Sequence, residues 1–125
     1  MKLVRDFIPR IIKENGKSCE YHIAGNEEYK QHLFEKMREE LDEFIESPSI
    51  EEAGDMYEVF MSILQLHKID FNEVINTAQK KKVNRGGFND KIILDVVNTS
   101  REESNLDDDL SNDYNVTPYG EQKSS

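Results

Sequence analysis

Only one cysteine, Cys19, occurs in the 125 residues, so no internal disulfide can form and no thiolate metal site is available. No apolar run approaches the length of a membrane span. The first ten residues are interrupted by Lys2, Arg5, Asp6 and Arg10 and do not read as a signal peptide, so the expected location is the cytoplasm. An excess of positive charge is also missing. The net charge of −10 argues against general nucleic-acid binding, which relies on Lys and Arg to neutralise backbone phosphates. There is no GxxxxGK[ST] loop, which removes a P-loop site. The absence of any Glu-x-x-His pair makes a carboxylate-bridged di-iron bundle a poor reading. No internal repeat is present. With this length the chain is one domain, near the size at which helical proteins gain stability by oligomerising.

What the sequence does have is acid in one place. The stretch KMREELDEFIESPSIEEAGD, residues 36–55, holds two carboxylate pairs, Glu40 with Glu43 and Glu52 with Asp55. Residues three apart share a helical face, so each pair can reach a common point. Ser47-Pro48-Ser49 breaks the helical pattern between them, and so short a break makes two helices antiparallel neighbours with the acidic faces opposed. Four converging carboxylates repel unless a cation sits among them, and a hard divalent cation such as Mg²⁺ or Mn²⁺ takes oxygen ligands while keeping positions open for phosphate oxygens. An acidic pair on an amphipathic helix is ordinarily a solvated face. Two pairs flanking one tight turn, with the small residues Ala53 and Gly54 inside the second, weigh against that. Glu52 has a further competing role, as the reciprocal partner of a Ser49 capping box.

The distribution of charge fits the same picture. Residues 27–55 carry eleven acids against three bases, and residues 100–125 seven against two. The remainder has eight acids against eleven bases. An acidic centre flanked by basic arms suits cations in the middle with a polyanion across them, although ordinary charge mixing on a soluble surface produces similar numbers.

Taken in order, Leu3, Val4, Phe7, Ile8, Ile11 and Ile12 form a helical stripe with Pro9 in its first turn and Asn15-Gly16 as its stop. SCEYHIA, residues 18–24, alternates as a short strand does, and KIILDVV, residues 91–97, is its natural partner; the pattern predicts a small two-stranded ribbon. Gly25-Asn26 opens a long helix with Asn26 as cap and Leu33, Met37, Leu41, Phe44 and Ile45 as core stripe. Ser49 caps the next, whose buried face is Met56, Val59, Phe60, Ile63 and Leu64. Asp70 caps a fourth, ending in KKKVNRGGF, where Gly86 and Gly87 stop the helix. The preceding cations can hold phosphate or complement the helix dipole. Residues 99–125, poor in apolar side chains and rich in Asp, Asn, Ser and Glu, read as a disordered acidic tail, leaving a domain over residues 1–98. The expected fold is all-α, a bundle of about four helices with the small ribbon.

KLVRDFIPRII at the start, EELDE at 39–43, EAGD at 52–55 and KKKVNRGGF at 80–88 together resemble the MazG-like all-α NTP pyrophosphohydrolases, most nearly the small phosphoribosyl-ATP pyrophosphohydrolase-like house-cleaning branch. The resemblance covers about residues 1–97. It implies a Mg²⁺-dependent enzyme, with Mn²⁺ an alternative ion, that splits nucleoside triphosphates, canonical or modified, into monophosphate and pyrophosphate. Carried over by motif, Glu40, Glu43, Glu52 and Asp55 are the metal ligands, and Glu39 and Glu43 the catalytic carboxylates, Glu39 as auxiliary ligand or water-orienting base. Lys2, Arg5, Lys81 and Arg85 are the cations expected on the triphosphate. Members assemble as dimers or larger oligomers, so a homodimer or homotetramer is expected, with a nucleotide as small-molecule partner and no nucleic acid or membrane. The alternative is an inactive nucleotide-sensing or protein-interaction module on the same fold.

Overall fold

The computed structural model describes residues 1–98; the expected acidic tail lies outside them. The chain divides into two compact units, Met1–Lys81 and a second that begins at Lys82. Among these residues four helices form, α1 (Ile8–Glu14), α2 (Asn26–Glu46), α3 (Ile50–Leu66) and α4 (Phe71–Arg85), so the all-α expectation holds for the part described.

Local chemistry sets the helix ends. Pro9 occupies the first turn of α1, where its missing N–H costs nothing. Gly16, at φ 79°, closes α1: its N–H donates to the Lys13 carbonyl at 3.0 Å and the Lys17 N–H to the Ile12 carbonyl at 3.1 Å, the paired bonds of a left-handed C-terminal cap. Gly25, not Asn26, caps α2, in extended backbone with no side-chain bond. Ser49 caps α3 as expected, its Oγ accepting from the Glu52 N–H at 3.1 Å. Asp70 does the same for α4, Oδ2 accepting from the Glu73 N–H at 3.1 Å.

The end of α3 repeats the geometry of the end of α1 with a less suitable residue. The Lys68 N–H donates to the Gln65 carbonyl and the Ile69 N–H to the Leu64 carbonyl, which places Lys68 at φ 57°. A side chain there crowds the following carbonyl. Lys68→Gly is therefore expected to stabilise the protein by about 0.5–1 kcal/mol, seen as a higher urea midpoint with an unchanged slope.

Packing centres on one hairpin. Joined by three residues, α2 and α3 run antiparallel and make the one extensive helix–helix contact among the described residues. Leu33, Val59 and Leu64 are the buried apolar side chains; Met37, Phe44, Met56 and Ile63 are half-buried around them. Leu41, Ile45 and Phe60, expected in the core, are exposed instead. A two-helix layer has one covered face, and these three fall beyond it. Tyr57 meets Phe71 edge-on at 6.2 Å, and so reaches the start of α4.

No strand forms among the described residues, which corrects the expected ribbon. Tyr21 and Ile23 in one segment, Ile92 and Ile93 in the other, are exposed. An isolated two-stranded ribbon is marginal in water and this one joins distant parts of the chain. A side chain holds the first segment instead: His22 Nε2 lies 2.9 Å from both carboxylate oxygens of Glu28 in the first turn of α2. In the second unit Gly86, at φ 85°, ends α4, its N–H donating to the Lys82 carbonyl at 2.9 Å.

Candidate metal centre

The hairpin brings three of the expected ligands together. Glu40 lies in the C-terminal half of α2, and Glu52 and Asp55 stand one turn apart at the start of α3. One oxygen from each falls within 4.8 Å of the other two. Glu40 is only 4% exposed, the one buried charged residue described, while Glu52 and Asp55 are half-buried. Gly54, between the last two, has open space where a Cβ would stand.

Two oxygens in this cluster have no donor. Glu40 Oε2 and Glu52 Oε2 are buried without a hydrogen-bond partner. The Glu52 backbone N–H completes its half of the capping box, but the Glu52 carboxylate makes no return bond to Ser49, so capping does not consume it. Unpaired buried carboxylate oxygens are costly, and charges some 5 Å apart repel by roughly 3 kcal/mol per pair at an effective dielectric of about 20. An all-oxygen set of this size and charge fits a hard divalent cation and lacks the nitrogen or sulfur that softer metals prefer. The triad can hold such an ion.

Two basic side chains stand on the outer edge of the triad. Arg5, from the segment before α1, donates from Nη2 to Asp55 Oδ1 at 2.8 Å. Lys36 Nζ is 3.2 Å from Glu40 Oε1 and 3.8 Å from Glu39 Oε1. Arg5, expected on substrate phosphate, is paired with the Asp55 carboxylate in the structure. Lys36 was missed, although its i,i+4 spacing to Glu40 is the signal that finds it. Lys2 and Lys81 are exposed and make no ion pair among the described residues. Arg85, the last residue of α4, is half-buried in the second unit.

Glu43 stands outside the triad, exposed at its rim. The negative charge of Glu40 holds the Glu43 carboxyl above the usual carboxylate range, with desolvation and the charges of Glu52 and Glu39 adding. Such a group favours the folded state most at low pH, below its unfolded range, and loses that contribution as pH rises through its raised folded value. The stability gained by Glu43→Gln over wild type is therefore expected to grow from about pH 4 to pH 7. Thermal midpoints in metal-free buffer check this, and parallel curves for the two proteins would contradict it.

The histidines lie elsewhere. His32 bridges Glu28 at 3.9 Å and Glu35 at 3.4 Å along α2, and His67 tilts against Phe34 with ring centroids 6.2 Å apart. No helix among the described residues is long and apolar enough to cross a membrane. In comparison with known proteins, no family model, no curated protein and no solved structure matches this chain.

Proposed function

We propose that the protein is a Mg²⁺-dependent nucleoside triphosphate pyrophosphohydrolase of the MazG-like superfamily, cleaving canonical or modified NTPs to monophosphate and pyrophosphate. The observation that carries this reading is the Glu40–Glu52–Asp55 triad, buried at Glu40 and half-buried at the other two, with its two unpartnered oxygens. The four motifs that resemble the superfamily give the reading its substrate class. When bound, Mg²⁺ supplies charge neutralisation on the phosphate oxygens and acidifies an attacking water.

The chain's own groups divide the remaining work. Glu40, Glu52 and Asp55 hold the cation. Glu43, at the rim and with its proton affinity raised by Glu40, accepts the proton as water attacks the α-phosphorus and the α–β anhydride opens. Glu39, beside Lys36, orients that water. Arg5 keeps further N–H donors beyond the one on Asp55 and turns these to the phosphates with Lys2 and Lys81.

The test is pyrophosphate release from a panel of canonical and modified NTPs with and without Mg²⁺. Turnover that needs the metal supports the enzyme; tight nucleotide binding without turnover assigns the inactive sensing role instead.

The same reading includes assembly as a homodimer or homotetramer. Leu41, Ile45, Ile50, Tyr57 and Phe60 on the central hairpin are exposed, apolar surface that association between copies would cover. Sedimentation at micromolar concentration is expected to give two or four times the 14.6 kDa chain mass; a single chain mass would remove this part of the proposal.

A further inference from the structure

We infer that Lys36 is a resident counter-ion that keeps the triad's affinity for a free divalent cation low, so that the cation and the polyphosphate bind as mutually dependent partners. This rests on the function proposed above and adds the order in which charge enters the site.

The argument begins with Glu40. Its side chain is 6% exposed, one oxygen is taken by Lys36 at 3.2 Å, and the other, buried, has no donor. Asp55 also has one oxygen engaged, Oδ1 on Arg5 at 2.8 Å. Two cationic side chains therefore stand against the triad's three carboxylates and offset part of their charge, while Glu39, 3.8 Å from Lys36, and Glu43 at the rim add acid beside it. A divalent ion entering alone finds two of the triad's charges already offset and is repelled by both basic groups. A polyphosphate entering alone meets three carboxylates. When both enter, the ion takes the carboxylates and the phosphates take the basic side chains, so each arrival removes the obstacle to the other. Linkage requires the effect to be reciprocal: whatever factor the polyphosphate adds to metal affinity, the metal adds to polyphosphate affinity.

Lys36 is the better probe of the two. Its side chain is 21% exposed against 59% for Arg5, so solvent screens it less. It is a positioning residue, acting through Glu40. A purely structural role predicts that losing Lys36 disorders Glu40 and weakens metal binding. The counter-ion role predicts the opposite sign.

The experiment measures Mn²⁺ binding to the metal-free full chain by electron paramagnetic resonance, first with the metal alone and then with inorganic tripolyphosphate. Lys36→Met is expected to tighten binding of the metal alone by about tenfold and to shrink the tightening that tripolyphosphate adds. Lys36→Arg is expected to restore wild-type behaviour in both arms. If Lys36→Met fails to fold, Lys36→Gln, which keeps a polar head beside Glu40, carries the same expectation. Unchanged or weaker Mn²⁺ binding in the folded neutral variant overturns the inference. Pyrophosphate release by the wild type separates the two failures: metal-dependent turnover with no tightening sinks the counter-ion role alone, and tightening without turnover sinks the enzyme alone.

Discussion

Glu40→Gln is expected to reduce metal-dependent pyrophosphate release by about three orders of magnitude, equivalent to roughly 4 kcal/mol of lost transition-state stabilisation. The same substitution should make the metal-free protein more stable. Glu40 is buried with one oxygen unpartnered, in a group of three carboxylates whose ligand atoms lie within 4.8 Å. Removing one charge relieves repulsion with Glu52, Asp55 and Glu43 and loses one ion pair with Lys36, itself partly open to solvent and able to relax outward. A net gain of about 1 kcal/mol is expected, or roughly 5 °C in the midpoint of a domain this size. Added Mg²⁺ should raise the wild-type midpoint by mass action and leave the variant unmoved. A variant that loses activity and stability together would mean that Glu40 is a structural partner of Lys36 and not a cation ligand. Opposite signs for activity and metal-free stability are what a site strained for function produces.

Leu33→Ala is the second large effect, expected to cost about 3–5 kcal/mol. Leu33 is 2% exposed, the most deeply buried side chain described, and its companions are Val59 and Leu64 alone. Total stabilities run from about 5 to 15 kcal/mol, so a core this small has little reserve. The loss should appear as an early and broadened urea transition by circular dichroism at 222 nm. Because α2 carries Glu40 and α3 carries Glu52 and Asp55, loosening the hairpin should also weaken Mn²⁺ binding although Leu33 is not one of the triad. A cost under about 1 kcal/mol would show that the α2–α3 contact is not the centre of the fold.

The helices were legible because their signals are local. A 3.6-residue period, Pro9 in a first turn, Ser49 and Asp70 three residues before Glu52 and Glu73, and Gly16 and Gly86 at helix ends act over four or five residues, and each is realised. The ribbon was not legible. Alternation in residues 18–24 and 91–97 describes a surface that fits a sheet, but pairing depends on partners far along the chain, and His22 found Glu28 instead. The core stripe was half legible for a related reason: periodicity names the apolar face of α2, while its covered width depends on how many helices pack against it, so Leu33 is buried and Ile45 is not.

The candidate site divides along the same line. By itself the sequence determined that Glu40 and Glu43, and Glu52 and Asp55, share helical faces on either side of a tight turn, since spacing and turn length alone decide that. Tertiary structure decided which of the four converge. It buried Glu40, left Glu43 at the rim, freed the Glu52 carboxylate from its cap, and set Arg5 and Lys36 against the triad. The rotation of one helix about its axis relative to another, and the approach of an N-terminal segment to α3, follow from packing summed over many side chains, and no short stretch of residues encodes them.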